Sequence, residues 1–74
     1  MRRVQMQPVR FGLIGCGRVA PYHAQALTEI EGSELVAVCD IVSERADDFS
    51  RRYGGDAYYD YRELLERKDV DVVC

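Results

Sequence analysis

The sequence predicts an α/β fold built on a parallel sheet, cut within or near its fourth strand. Three observations carry this prediction. Short apolar runs alternate with segments whose apolar residues recur at helical spacing. A glycine-rich turn, "GCGRVA", joins the first apolar run to the first helical segment. An acid, Asp40, directly follows the second apolar run.

Residues 1–8 end at Pro8 and read as a disordered leader. Arg2-Arg3 is not followed by the apolar stretch of an export signal, because Gln5, Gln7 and Arg10 interrupt it. Val9–Ile14 is the first strand, and Phe11, Leu13 and Ile14 suit a sheet covered on both faces. Ala20, Ala24, Leu27 and Ile30 then repeat at helical spacing. His23 falls on the same stripe and reads as a packed structural histidine, not a proton-transfer group. Pro21 lacks an N–H, which is harmless only in a first turn, so the helix starts near Arg18.

Gly32-Ser33 ends that segment, and Leu35–Cys39 forms the second strand. Ser43 is the predicted N-cap of the second helix, with Glu44 favourable in its first turn. Ala46, Phe49 and Tyr53 form the buried face of that helix, and Gly54-Gly55 stops it. "AYY", Ala57–Tyr59, reads as a short edge strand. Asp60 and Glu63 have capping-box spacing for a helix carrying Leu64 and Leu65. Val70, Val72 and Val73 mark the fourth strand. Right-handed crossovers fix the handedness of each β-α-β unit. Because "DVDVVC" stops inside an apolar run, residues 9–74 read as the amino-terminal piece of a larger dinucleotide-binding domain.

Composition narrows the partners. With 74 residues the chain is one small unit, and a net charge of −3 argues against nucleic acid or an anionic membrane surface. Arg51, Arg52, Arg67 and Lys68 alternate with acids and read as a solvated surface. Cys16, Cys39 and Cys74 are isolated, so neither a metal site nor a disulfide framework is indicated. The apolar flanks of Cys39 and Cys74 make them buried small hydrophobes, which fits a reducing, cytoplasmic setting. The longest apolar run falls far short of the roughly 18 residues of a membrane span.

"GCGRVA" places Gly15, Gly17 and Ala20 in the G-x-G-x-x-G/A pattern. The first glycine permits a tight turn, the second lets a pyrophosphate approach the backbone, and the small Ala20 lets the helix pack close to the strand. Amides at the start of the helix then receive phosphate charge. Asp40 follows a strand, where its carboxylate can accept hydrogen bonds from both ribose hydroxyls and repel a 2′-phosphate. NAD is therefore predicted over NADP, although Arg45 nearby softens the preference. Cys16 lies in the turn, where a helix start would lower its thiol pKa, and it reads as a filler beside the cofactor. Arg18 either covers the pyrophosphate or faces solvent. Tyr58, Tyr59 and Tyr61 read as edge and core packing, not a stacking platform.

Two other functions share these features. One is a nucleotide-binding module or pseudoenzyme without chemistry of its own. The other is an S-adenosylmethionine methyltransferase, which ranks behind because Leu13-Ile14 stands where an acid would precede the glycines.

"RFGLIGCGRVAPYHAQAL", "ELVAVCD" and "YYDYRELLERKDVDVVC" together resemble the glucose–fructose oxidoreductase/inositol dehydrogenase (Gfo/Idh/MocA) family over nearly all of Arg10 to Cys74. The resemblance implies a Rossmann sheet of order 3-2-1-4-5-6, here limited to its first four strands, with the cofactor at the switch point between strands one and four. It implies that Gly15, Cys16, Gly17, Arg18 and Val19 hold the pyrophosphate end and that Asp40 and Ile41 meet the adenosine end. It also implies oxidation or reduction of a CH–OH group on a sugar or cyclitol-like substrate, and it leaves room for a homo-oligomer. The family's Glu-Lys-Pro lysine and its second domain have no counterpart here. Lys68 matches nothing catalytic, so no catalytic residue is carried over.

Overall fold

The computed structural model describes residues 9–18 and 20–74. The elements are β1 (Val9–Ile14), α1 (Ala20–Glu29), β2 (Ser33–Cys39), α2 (Ser43–Tyr53), β3 (Asp56–Tyr58), α3 (Tyr61–Leu65) and β4 (Val72–Val73). The four strands form one sheet in the order β3-β2-β1-β4, every pair parallel. This is the Rossmann arrangement predicted from the sequence. The predicted leader, residues 1–8, lies outside the described residues.

Two apolar clusters explain the layering. Leu13, Leu35 and Val38 from the sheet meet Ala20, Ala24 and Leu27 of α1 and Phe49 of α2. Ala37 and Cys39 point the other way, onto Leu64 of α3. Helices therefore cover both faces, as the alternation of side chains along a strand requires. Gly12 makes the second face possible. A Cβ there would stand 2.9 Å from Leu64 Cδ2 and 3.3 Å from Val70 Cγ1, so only glycine lets α3 lie this close to β1.

Several details differ from the sequence reading. Val42, not Ser43, is the N-cap of α2, because Asp40 Oδ1 accepts the Val42 N–H at 2.8 Å and turns the chain one residue earlier. The third strand runs one residue ahead of Ala57–Tyr59. His23 is exposed, since the covered stripe of α1 is narrowed to Ala20, Ala24 and Leu27. Ile30 lies just past the helix and is exposed too. Val72, Val73 and Cys74 are exposed on the outer strand, so the buried position predicted for Cys74 does not hold. Beyond β4 proper, backbone bonds from Asp71 N to Arg10 O (2.8 Å) and Cys74 N to Gly12 O (2.9 Å) extend its pairing with β1.

Asp60 caps α3 as predicted, its side chain accepting the Arg62 N–H. Gly54 ends α2 at φ 95°, and its N–H donates to Ser50 O. Arg67 corrects the surface reading. Its guanidinium donates to Asp69 Oδ1 (2.7 Å), Asp56 Oδ2 (2.8 Å), Val36 O (3.1 Å) and the Tyr58 hydroxyl (3.4 Å), pinning the loop after α3 against β2 and β3. Arg51 and Arg52 are exposed as expected and pair with Asp48. Among the described residues, no helix is long and apolar enough to cross a membrane.

Candidate functional site

Parallel strands bring their carboxyl ends to one edge, where each chain segment must turn into a helix. At the end of β1, Gly15 adopts φ 90° and donates its N–H to Cys39 O at 2.7 Å. That backbone angle is rarely open to side chains, which accounts for the first glycine. Gly17 needs a different account. Its φ is not positive, and a Cβ there would meet nothing within 4 Å. The fold itself would tolerate a side chain, so the reason for glycine lies in the open space beside its backbone. Open space of this kind leaves room for a phosphate group to approach the backbone.

Among the described residues, no hydrogen bond takes up the amides of Gly17 and Arg18, while the Ala20 N–H donates to Gly17 O at 3.3 Å. Ala20 is buried at the base of the turn, as close helix–strand packing demands. Arg18 is exposed, which is compatible with either of the two positions left open for it. Val19, the remaining member of the predicted pyrophosphate segment, lies outside the described residues.

Asp40 stands opposite, directly after β2, and is only 8% exposed. Its Oδ2 accepts the Cys16 N–H at 2.9 Å and its Oδ1 accepts the Val42 N–H at 2.8 Å. The acid therefore ties the glycine turn to the start of the loop leading into α2. A carboxylate offers about four lone-pair positions, so about two remain for a ligand. Sequence reasoning assigned Asp40 to ribose alone and missed this brace. The Cys16 amide is engaged by the protein itself.

Asp40 also lines a cavity of about 240 Å³ with Ile14, Gly15, Cys39, Ile41 and Tyr61. Ile41 is exposed at its mouth. Tyr61 is half-exposed in the same cavity, so it is not the packing residue the sequence implied. Tyr58 does pack, beside the Ala37–Cys39–Leu64 cluster, and the Tyr59 hydroxyl donates to Asp47 Oδ1 at 2.6 Å. The position of Tyr61 was readable in part: a residue following the cap Asp60, right after a strand, must sit at the carboxyl edge of the sheet.

The electrostatics of the cleft are negative. Burial pushes the Cys16 thiol up to about 11, helped by Asp40, and its Sγ donates to Cys39 O at 3.5 Å. This overturns the expected lowering: the nearby carboxylate and loss of water outweigh the helix start. Burial likewise raises the Cys39 thiol, with Asp60, Asp40 and Glu63 adding to it. No group of three or more potential metal ligands exists among the described residues.

Residues 9–74 match the model of an oxidoreductase family with an NAD-binding Rossmann fold, Gfo/Idh/MocA. The chain belongs to this family. It is 40% identical over 68 residues to the inositol 2-dehydrogenase of Salmonella typhimurium, covering 88% of this chain and 20% of the relative. It is 37% identical over 65 residues to the glucose-6-phosphate 3-dehydrogenase of Bacillus subtilis, covering 88% and 19%. Among solved structures, the 3-ketoreductase KijD10 of Actinomadura kijaniata, bound to NADP and TDP-benzene, superposes with a TM-score of 0.86 at 38% identity, covering 90% of this chain and 21% of that one. The WlbA dehydrogenase of Chromobacterium violaceum, bound to NADH and UDP-GlcNAcA, gives 0.85 at 31%, covering 99% and 21%. The chain thus spans about a fifth of the length of these relatives. Its fold is the nicotinamide-dinucleotide-binding one of an oxidoreductase family, and both NADP and NADH occur among its structural neighbours.

Proposed function

We propose that this segment binds NAD in preference to NADP, for a dehydrogenase that acts on a CH–OH group of a sugar or cyclitol-like substrate. The observation that carries the cofactor preference is the buried carboxylate of Asp40, fixed by two amides and facing the cleft. Held this way it cannot swing aside, so a 2′-phosphate would meet a fixed negative charge, and Asp60 and Glu63 add to that field near Cys39. Arg45 is exposed on α2, and among the described residues no Lys or Arg side chain lines the cavity.

On this reading the Gly17 and Arg18 amides, with Val19 beside them, hold the pyrophosphate, and Gly15 and Cys16 shape the turn. Asp40 accepts the ribose hydroxyls and Ile41 flanks the base. The bound nicotinamide accepts or donates hydride. The residues here bind and orient it, while the groups that move the substrate proton come from elsewhere in the protein, so the segment is not catalytic alone. The sugar-related substrates of the inositol and glucose-6-phosphate dehydrogenases support the substrate class.

Calorimetric titration of the intact protein with NAD, NADP and S-adenosylmethionine tests this. Tighter binding of NAD than of NADP is the expected result. Equal or reversed affinities would remove the cofactor preference, and binding of S-adenosylmethionine alone would remove the dehydrogenase reading. Binding of NAD without turnover of any polyol or sugar would favour the non-catalytic module.

A further inference from the structure

Ile41 and Tyr61 both line the cleft beside Asp40, and among the described residues neither belongs to an apolar core cluster. Ile41 is 87% exposed and Tyr61 is 51% exposed, yet both line the same cavity as Asp40. Neither is needed by the core clusters, which close without them. The neighbouring tyrosines are committed elsewhere, Tyr58 to packing beside Leu64 and Tyr59 to Asp47. Tyr61 is the aromatic ring available to a ligand in this cavity.

Given the proposed ribose contact at Asp40, on which this inference rests, the direction of the ligand is constrained. The pyrophosphate must leave the ribose toward Gly15 and Gly17. The base must leave on the remaining side, where Ile41 and Tyr61 stand. A flat aromatic base between an aliphatic side chain and a phenol ring covers apolar surface on both of its faces. We propose that Tyr61 is a base-binding residue, stacking on the adenine of the dinucleotide with Ile41 against the other face. The contact is made to the part of the cofactor that does not react, so it governs affinity and leaves the hydride step untouched.

The test uses the intact protein and its Tyr61→Ala, Tyr61→Leu and Tyr61→Phe variants, titrated with NAD, ADP-ribose and nicotinamide mononucleotide. Base–aromatic stacking predicts that Tyr61→Ala weakens NAD and ADP-ribose alike, by at least about five-fold. Tyr61→Phe keeps the ring and should stay within about two-fold of the parent. Tyr61→Leu should fall between them. Nicotinamide mononucleotide, which lacks the adenine, should not discriminate among the variants. If Tyr61→Ala fails to fold, the ring protons of Tyr61 in the parent supply the readout, because stacking moves them upfield on adding ADP-ribose. Unchanged affinity for ADP-ribose in folded Tyr61→Ala, or unmoved ring protons in the parent, overturns the stacking role. Absence of NAD binding in the parent overturns the underlying reading instead, so the two failures are distinguishable.

Discussion

Replacing Asp40 with asparagine separates what the acid does for the fold from what it does for a ligand. In the parent, Oδ2 takes the Cys16 N–H at 2.9 Å and Oδ1 takes the Val42 N–H at 2.8 Å. Asparagine keeps one acceptor and turns an NH₂ donor against the other amide. One charge-assisted bond, worth about 1.5–3 kcal/mol, is lost, and the surviving bond falls to the neutral range of about 0.5–1.5 kcal/mol. The sum is about 2–4 kcal/mol of destabilisation. Little solvent screening offsets it, since Asp40 is only 8% exposed. A 74-residue domain has about 4–11 kcal/mol to lose. Urea unfolding of the chain followed by circular dichroism is the assay. With a slope near 1–1.5 kcal/mol/M, the midpoint should fall by about 1.3–4 M. An unchanged midpoint would show that the brace contributes nothing and that Asp40 is free to serve a ligand alone.

Five further outcomes follow from packing and charge. Gly12→Ala places a Cβ 2.9 Å from Leu64 Cδ2 and should cost about 1–3 kcal/mol by overpacking, measured by the same unfolding assay. Gly55→Ala meets the backbone N of Ala37 at 3.0 Å at φ +89°, so it should destabilise by at least about 1 kcal/mol, whereas Gly17→Ala should leave stability nearly unchanged and weaken NAD binding. The Arg67 hydrogen bond holds the Asp69 carboxyl below its ordinary 3.8, so this pair's contribution is complete above that pH and is lost as pH falls through the lower folded value. An acid titration of stability in Arg67→Ala should lack that limb. The Cys16 thiol, raised from 9.0 to about 11, favours the folded state below pH 9 and loses that effect as pH rises through about 11. Iodoacetamide at pH 8 should therefore label exposed Cys74 well before Cys16, with buried Cys39 slowest, as read by peptide mass spectrometry.

The order of elements was legible because each rests on local chemistry. Pro21, Asp60 and Gly54 announce helix ends by what their backbones can and cannot do. Strand order followed from the family resemblance. What escaped was set by contacts far apart in sequence. Nothing in "RFGLIG" says that Gly12 faces Leu64, because that approach exists only once α3 has crossed the sheet. Arg67 looked solvated within its charged neighbourhood, yet its partners Val36 and Asp56 lie well before it in the chain. His23 satisfied the helical period but sits at the margin of a stripe that closes around small alanines.

The site divides the same way. The glycines and Asp40 were readable because their spacing encodes the turn and the strand end. The bond from Cys16 to Asp40 was not, since it joins two segments that only the finished sheet brings together. Tyr61 was misread because aromatic residues beside a strand usually pack, and only the cavity shows that this one does not.

Amide chemical shifts of the ¹⁵N-labelled protein, followed while NAD is added, probe the central claim most directly. The account predicts large shifts at Gly17 and Arg18, whose amides are proposed to hold the pyrophosphate, and at Cys16 and Val42, which would report on the Asp40 carboxylate as ribose arrives. Saturable binding that leaves all four amides unmoved would contradict it.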